Sequence, residues 1–459
     1  MNDRGKTLTS FQLAKKIIQT LEKAGYEAYI VGGCVRDAFL GIPPQQCETC
    51  DIATNAPPSR VQELFPRSVP LGLRFGVVCV YEDTASVDVA TFRSESGYVD
   101  HRHPSHVAFS SLEQDAQRRD FTVNALYWRP RADFPDRSEI IDLVGGLADL
   151  DKRILRAIGA PKERFKEDAL RILRALRFAS SLGFSIEPIT WEALKSSVPL
   201  LRAISAERIR EELVRGFTRR NPAHFLDLLD SSGVLRELLP EVADMKGVPQ
   251  PPEFHPEGDV FTHTRLMLSK MPENPPATLA FAVLLHDVGK FLTLTFNGRI
   301  SFPNHDKKGA EIADAICKRL KFSNDEREQI VSMVQRHMMF ISLQHMRPSK
   351  LARFLASPTI EEELQLHRLD CEASHGNLEN YHFAQCKLAE LKQAHDGNPL
   401  PAPLLRGDDL IALGIPPGPI YKRILGEVLE LQIEGAITTK EDALKEARRI
   451  YSQLESASS

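Results

Sequence analysis

Residues 29–54 read YIVGGCVRDAFLGIPPQQCETCDIAT, and this stretch decides how the first part of the chain folds. A short apolar run ending in two glycines is the pattern of a strand that passes into a helix through a turn needing permissive backbone angles. Gly32 and Gly33 let backbone N–H groups come close to a phosphate, and Arg36, followed by Asp37, sets a planar cationic fork beside them. The expectation is a seat for a triphosphate. The same letters also suit an ordinary strand-to-helix turn with solvated acids, so the glycines alone do not separate the two readings.

A carboxylate next to bound phosphates calls for a divalent cation, and Asp51 is placed to share one with them. A second carboxylate, Asp88, comes from SVDVATFR, where it alternates with Val87 as strand neighbours do. Two Mg²⁺ ions held about 3.5–4 Å apart would activate an attacking hydroxyl and steady a leaving pyrophosphate.

At 459 residues the chain has room for about three domains of ordinary size. A hydrophobic content of 42% with 26% charged residues fits an ordinary soluble protein, and a net charge of −4 argues against a globally basic nucleic-acid coat. Any nucleic-acid partner must therefore meet a local patch. Residues 151–220 supply one, with 16 Lys/Arg against 9 Asp/Glu. A solvated helical face is the plainer reading of the same charge. Seven scattered cysteines suit a reducing, cytoplasmic setting better than a disulfide framework. Cys47 and Cys50 form a C-x-x-C, a weak zinc or redox signal without a second pair. The start reads as an amphipathic helix with Phe11, Ala14, Ile17, Ile18 and Leu21 on one face, neither signal peptide nor membrane span.

Alternating short strands (YEAYIVGG, GVVCVYE, VDVATF, FTVNALYW) give way near residue 150 to helical periodicity. Proline-rich breaks at 247–259 and 397–409 suggest boundaries. The expected organisation is multidomain α+β: a head at 1–150 with a mixed sheet and helices, an all-α neck and body at 151–245, an all-α domain at 255–385 and a helical tail at 400–459. In RFKEDALRILRALRF, Asp168 and Arg171 fall on one helix face, continued by Arg174 and Arg177. Such a pair could read the amine-and-acceptor edge shared by cytosine and adenine. The alternative is an intrahelical salt bridge worth about 0.2–0.5 kcal/mol.

VGGCVRD, CDIAT, VDVATFR, GYVDHRHPSHVAF, RRDFTVNAL, IIDLVGGLADL, RFKEDALRILRALRF and SAERIREEL occur in the order seen in the class II tRNA nucleotidyltransferase and poly(A) polymerase family, which residues 28–245 resemble throughout. The resemblance implies a head, neck and body that add CMP or AMP from CTP or ATP to an RNA 3′ end without a template. It implies that Gly33 and Arg36 hold the triphosphate, that Arg118, Arg119 and Asp120 of the RRD motif with Asn124 hold the nucleotide, and that Asp168, Arg171, Arg174 and Arg177 read the base. A VGGCVRD opening is more typical of CCA-adding members, so the tRNA 3′ end is the expected partner. A-only, CC-only or poly(A) addition stays open.

One departure stands out. Family members write Asp-x-Asp directly before Ile-Ala-Thr, whereas this chain has Thr49-Cys50-Asp51, so the first carboxylate is missing at its matching position. Three extra residues between Gly41 and Asp51 leave Glu48 as the expected substitute beside Asp51 and Asp88.

Farther on, His263, the adjacent His286 and Asp287, His305, His337 and Asp370 are ligands suited to one or two divalent metals, a transition metal or Mg²⁺. The order H…HD…H…H…D resembles the HD phosphohydrolase superfamily, which implies metal-activated water attacking a phosphoester, with Lys290 steadying the phosphate. His367, Cys371 and His375 share a helix face but rank below Asp370 as ligands. A rival reading makes the head a weak RNA-binding module that serves this phosphohydrolase.

Overall fold

The computed structural model describes residues 8–47, 49–72, 76–98 and 104–458. The chain forms two compact units, Met1–Pro240 and Glu241–Ser459.

The first unit opens with α1 (Ser10–Lys23), whose start is fixed by a capping box between Thr9 and Gln12. It buries Phe11, Ala14, Ile17, Ile18 and Leu21, the face expected from their spacing, and stacks Phe11 on Trp128 with ring centroids 5.6 Å apart. There follow β1 (Ala28–Val31), α2 (Gly33–Phe39), β2 (Asp51–Thr54), α3 (Pro58–Leu64), β3 (Ser68–Gly72), β4 (Val77–Glu82) and β5 (Ala85–Thr91). A hairpin of β6 (Arg93–Tyr98) and β7 (Pro104–Phe109) leads to α4 (Leu112–Gln117), β8 (Leu126–Trp128), β9 (Ile140–Asp142) and α5 (Gly146–Asp151).

Seven strands make one mixed sheet in the order β3-β4-β5-β2-β1-β8-β9, with β2 and β5 parallel and their other neighbours antiparallel. FTVNALYW is strand only over Leu126–Trp128, because Thr122–Asn124 coil into a 3₁₀ turn. In that turn the Thr122 hydroxyl donates to Asp149 (2.7 Å), which draws the segment out of the sheet.

The helical remainder comprises β10 (Ile154–Leu155), α6 (Pro161–Glu167), α7 (Leu170–Leu182), β11 (Ser185–Ile186), α8 (Pro188–Ser197) and α9 (Ala206–Thr218), and β10 and β11 form a short parallel ladder. The expectation of one continuous helix through Asp168 is corrected here. Asp168 is extended, with φ −139° and ψ 102°, and its Oδ1 accepts the Leu170 N–H at 3.1 Å. An Asp side chain that bonds a nearby backbone N–H competes with the helix at that point, so α6 ends and α7 begins anew.

In the second unit, the helix Ala277–Leu285 is buried from Thr278 to Leu285. Packed around it are the helices Val260–Ser269, Asn324–Arg336 and Ile360–Ala373. This region also holds a two-stranded hairpin, Thr295–Phe296 with Ile300–Ser301, inside a stretch expected to be wholly helical. Residues near the C-terminal end pack a core of their own around Leu410, Ile424, Ala443 and Ala447.

Candidate functional site

Gly32 has φ +83°, a backbone state that side chains rarely adopt, and a Cβ built on it would lie 3.9 Å from Asp51 Oδ2. The turn at the head of α2 and the first residue of β2 are therefore neighbours. Because β2 and β5 run parallel with Ile52 opposite Val89, Asp51 and Asp88 stand side by side one step earlier. Asp51 keeps contact with solvent but is recessed. Desolvation and then the like charge of Asp88 raise its pKa, against the pull of Arg119 and Arg174. Two adjacent hard-oxygen donors whose charges oppose each other are a fitting pair for a divalent cation. Glu48 lies outside the described residues.

The basic side chains are held in a connected network. Arg36 is buried; its Nε donates to Asp37 Oδ1 (2.7 Å) and its Nη1 to Asn124 Oδ1 (2.7 Å). Asn124 Nδ2 donates to Asp120 Oδ1 (3.2 Å), and Asp120 Oδ2 accepts from Arg174 Nε (2.9 Å) and Nη2 (2.6 Å). Burial alone would raise the Asp120 pKa, yet Arg174, helped by Asn124, holds it at about 2. Arg177 Nε donates to buried Glu212 Oε2 (2.6 Å). Arg118 and Arg119 are both anchored on buried Asp115, and Arg119 Nε also donates to the Tyr127 hydroxyl (3.0 Å).

The expected Asp168–Arg171 pair does not form. Arg171 is buried and donates to Glu167 Oε2 (2.8 Å) and to the carbonyls of Arg164 (3.1 Å) and Arg118 (2.9 Å). Asp168 Oδ2 instead accepts from Arg208 Nη2 (2.9 Å), on α9. The break at Asp168 resets the helical phase, so the spacing that put both residues on one face no longer applies. Three further participants went unread in the sequence. Phe178 carries Arg36, Arg174 and Arg177 over its ring, at 5.2, 5.2 and 4.1 Å from its centroid. Asp115 and Glu212 are the buried acids that orient four of the arginines. Only the i, i+3 and i, i+4 spacing of Asp115 to Arg118 and Arg119 could have signalled any of them.

The second unit gathers the six expected ligands into one place. His263, His286 and Asp370 form one group of converging donor atoms, and Asp287, His305 and His337 form another. His263 Nε2 is 3.1 Å from Asp370 Oδ1, and Asp287 Oδ1 is 3.5 and 3.7 Å from the Nε2 atoms of His305 and His337. The Nδ1 atoms of His286, His305 and His337 each meet a backbone carbonyl at 2.6–3.0 Å, which leaves every Nε2 facing inward as an acceptor. His286 Nε2 is buried 3.2 Å from Asp287 Oδ2 without the geometry of a hydrogen bond. These are the donors a divalent metal takes. Burial lowers the His337 pKa to about 4, so this imidazole is neutral at pH 7, as a ligand must be.

Lys290 does not stand free: its Nζ pairs with Asp287 Oδ2 (2.6 Å) and donates to Gln250 Oε1 (2.8 Å). His367 is stacked flat on Phe340, centroids 4.4 Å apart, a core position. Glu257 was missed: its Oε1 meets His263 Nδ1 (2.5 Å) and His255 Nδ1 (2.9 Å). Gly289 was missed as well. A Cβ there would stand 2.2 Å from the His305 carbonyl, so only glycine lets the His-Asp segment lie against the helix His305–Arg319.

A mixed-sheet head with paired acids beside a glycine turn, followed in the chain by a buried histidine-aspartate cluster, defines a nucleotidyltransferase-type protein. Residues 28–156 match the Poly A polymerase head domain, 183–246 the probable RNA and SrmB-binding site of polymerase A, and 259–370 the HD domain. The chain thus carries, in this order, regions that match a Poly A polymerase head domain, an RNA-binding region of polymerase A and an HD domain. It is 46% identical over 239 residues to the CCA-adding enzyme of Lactiplantibacillus plantarum, an alignment covering 52% of this chain and 56% of that protein. It is 45% identical over 224 residues to that of Streptococcus pneumoniae, covering 48% and 54%. The chain thus spans about half the length of the curated relatives it matches. In fold it resembles the Bacillus stearothermophilus CCA-adding enzyme in complex with CTP, with a TM-score of 0.72, 25% identity and coverage of 98% and 100%. It also resembles the Thermotoga maritima CCA-adding enzyme complexed with tRNA, with a TM-score of 0.55, 20% identity and coverage of 95% and 94%. No helix among the described residues is long and apolar enough to cross a membrane.

Proposed function

We propose that this chain adds CMP and AMP, from CTP and ATP, to the 3′ end of tRNA, and that its HD domain hydrolyses phosphoesters. The observation that carries the first activity is the juxtaposition of the Gly32 turn, Asp51 and Asp88 with the Arg36–Asn124–Asp120–Arg174 network.

Asp51 and Asp88 are the residues that would hold Mg²⁺, whose chemistry there is to neutralise the triphosphate and lower the pKa of the RNA hydroxyl. The backbone at Gly32 and Gly33 offers N–H groups to the phosphates, with Arg119 close enough to act on Asp51. Asp168 presents an acceptor and Arg208 a donor, and such a pair matches the amine-and-ring-nitrogen edge common to cytosine and adenine. Uracil and guanine place a carbonyl and an N–H there and oppose it. The nucleobase is read by side chains alone, which is what template-free addition requires. In the second unit, His263, His286, Asp287, His305, His337 and Asp370 would hold one or two divalent ions, whose chemistry is to generate hydroxide near pH 7.

A second reading has one observation in its favour. The HD ligand set is complete, while Thr49 stands where the family places the first head carboxylate. The head would then bind RNA for the phosphohydrolase. Transcripts ending before C, before the second C and before A, each given a single nucleotide with Mg²⁺, separate the readings. Stepwise CMP then AMP incorporation supports CCA addition. Failure to incorporate either, with phosphatase activity lost in Asp287→Ala, overturns it in favour of the second.

A further inference from the structure

Residues 247–258 fall outside the three matched regions, and their proline-rich sequence reads as a boundary. The fold gives this stretch another use. Gly247 N–H donates to Asp259 Oδ2 (2.6 Å) and Val260 N–H to the Val248 carbonyl (3.1 Å), closing it into a loop at the head of the helix Val260–Ser269. Three side chains of that loop reach the histidine-aspartate cluster. Gln250 is buried, and its Oε1 accepts from Lys290 Nζ (2.8 Å), which also pairs with Asp287. Glu257 Oε1 meets the Nδ1 atoms of both His263 (2.5 Å) and His255 (2.9 Å), and those two rings pack edge to face with centroids 4.9 Å apart.

His263 differs from the other three histidines of the cluster in what backs it. The Nδ1 atoms of His286, His305 and His337 each meet a backbone carbonyl three residues earlier. That of His263 meets a carboxylate on a separate loop, with the Glu257 side chain only 8% exposed. A carboxylate accepts, so the proton stays on Nδ1 and the Nε2 lone pair turns toward Asp370 Oδ1, 3.1 Å away. Gly258, at φ +122°, and Asp259, which caps the helix through the Thr262 N–H (2.7 Å), fix Glu257 against His263. Resting on the phosphohydrolase reading of this cluster, we propose that Glu257 is the positioning residue of His263. From outside the region that matches the HD domain, it orients the ring so that Nε2 serves as a metal ligand.

The test uses the full chain carrying Asp51→Asn, which disables the carboxylate pair of the head, stripped of metal with a chelator and titrated with Mn²⁺ by calorimetry. In Asp287→Ala the binding should disappear, which checks the phosphohydrolase reading itself. Glu257→Leu, similar in size but without an acceptor, should weaken Mn²⁺ binding about 10–100-fold. Glu257→Gln, which returns an oxygen to Nδ1, should recover most of that loss. A measurement without any change at position 257 stands beside these: long-range ¹H–¹⁵N spectra of the Zn²⁺-loaded chain should show His263 protonated at Nδ1 and metal-bound at Nε2. No binding, or binding that survives Asp287→Ala, overturns the phosphohydrolase reading and the proposal together. Binding lost in Asp287→Ala but unchanged in Glu257→Leu, equal weakening in Glu257→Leu and Glu257→Gln, or a His263 proton on Nε2 overturns the proposal alone.

Discussion

Replacing Arg174 with Met removes the guanidinium that doubly bonds Asp120 while keeping a chain of similar shape. Asp120 moves from an ordinary carboxyl value of 3.8 to about 2 in the fold, which corresponds to roughly 2–3 kcal/mol favouring its charged form. Asn124 and Arg171 supply part of that, so the share lost with Arg174 is about 2 kcal/mol, within the range for a charge-assisted pair. A carboxylate depressed in the folded state stabilises it above the unfolded pKa, and that stability is lost as pH falls through the folded pKa. The difference between wild type and Arg174→Met should therefore be complete above about pH 5 and shrink to about half near pH 3. Both tryptophans, Trp128 and Trp191, lie in the first unit, so urea unfolding followed by their fluorescence reports that unit alone. With a slope of about 2–3 kcal/mol/M, the midpoint should drop by about 0.7–1 M at pH 7. A midpoint within about 0.2 M of wild type, or a gap equally wide at pH 3 and pH 7, would refute the assignment of Arg174 as the partner that holds Asp120 ionised.

Other consequences are as direct. Asp51→Asn and Asp88→Asn should each reduce CMP and AMP incorporation by at least about a thousandfold with phosphatase activity unchanged, measured by single-nucleotide extension. Arg208→Ala should leave Asp168 unpaired and raise misincorporation of UMP and GMP relative to CMP and AMP; retained discrimination would return the base-reading role to another donor. Gly289→Ala should cost about 1–3 kcal/mol of stability in the second unit and depress phosphatase activity, read by thermal melting and by hydrolysis of a cyclic phosphate ester, because the added methyl meets the His305 carbonyl. Affinity for tRNA should fall steeply with salt, and neutralising Arg219 and Arg220 should flatten that slope, as filter binding across a salt series will show.

How much of this was legible in the residues depends on how far apart the partners lie. Gly32, Gly33, Asp51 and Asp88 were readable because their signal is local: a turn that needs glycine, and strand alternation that fixes the face of an acid. The six histidine and aspartate residues expected in the HD domain could be picked out because their order along the chain is itself the pattern, and the fold brings all six together. The pairing of arginines with acids was not. Guanidinium groups are long and reach any of several carboxylates, so Arg171 turned to Glu167 and two carbonyls once Asp168 left the helix.

The sequence by itself determined which two groups of residues are candidates for sites, their order and the helical or extended nature of most segments that carry them, since periodicity and turn chemistry act between near neighbours. Tertiary structure alone decided that Arg208 meets Asp168, that Phe178 lies under three arginines, that Glu257 backs His263 and that Cys34 meets Cys50. Each of those contacts joins side chains from separate segments, and packing, not spacing, chooses among the partners within reach.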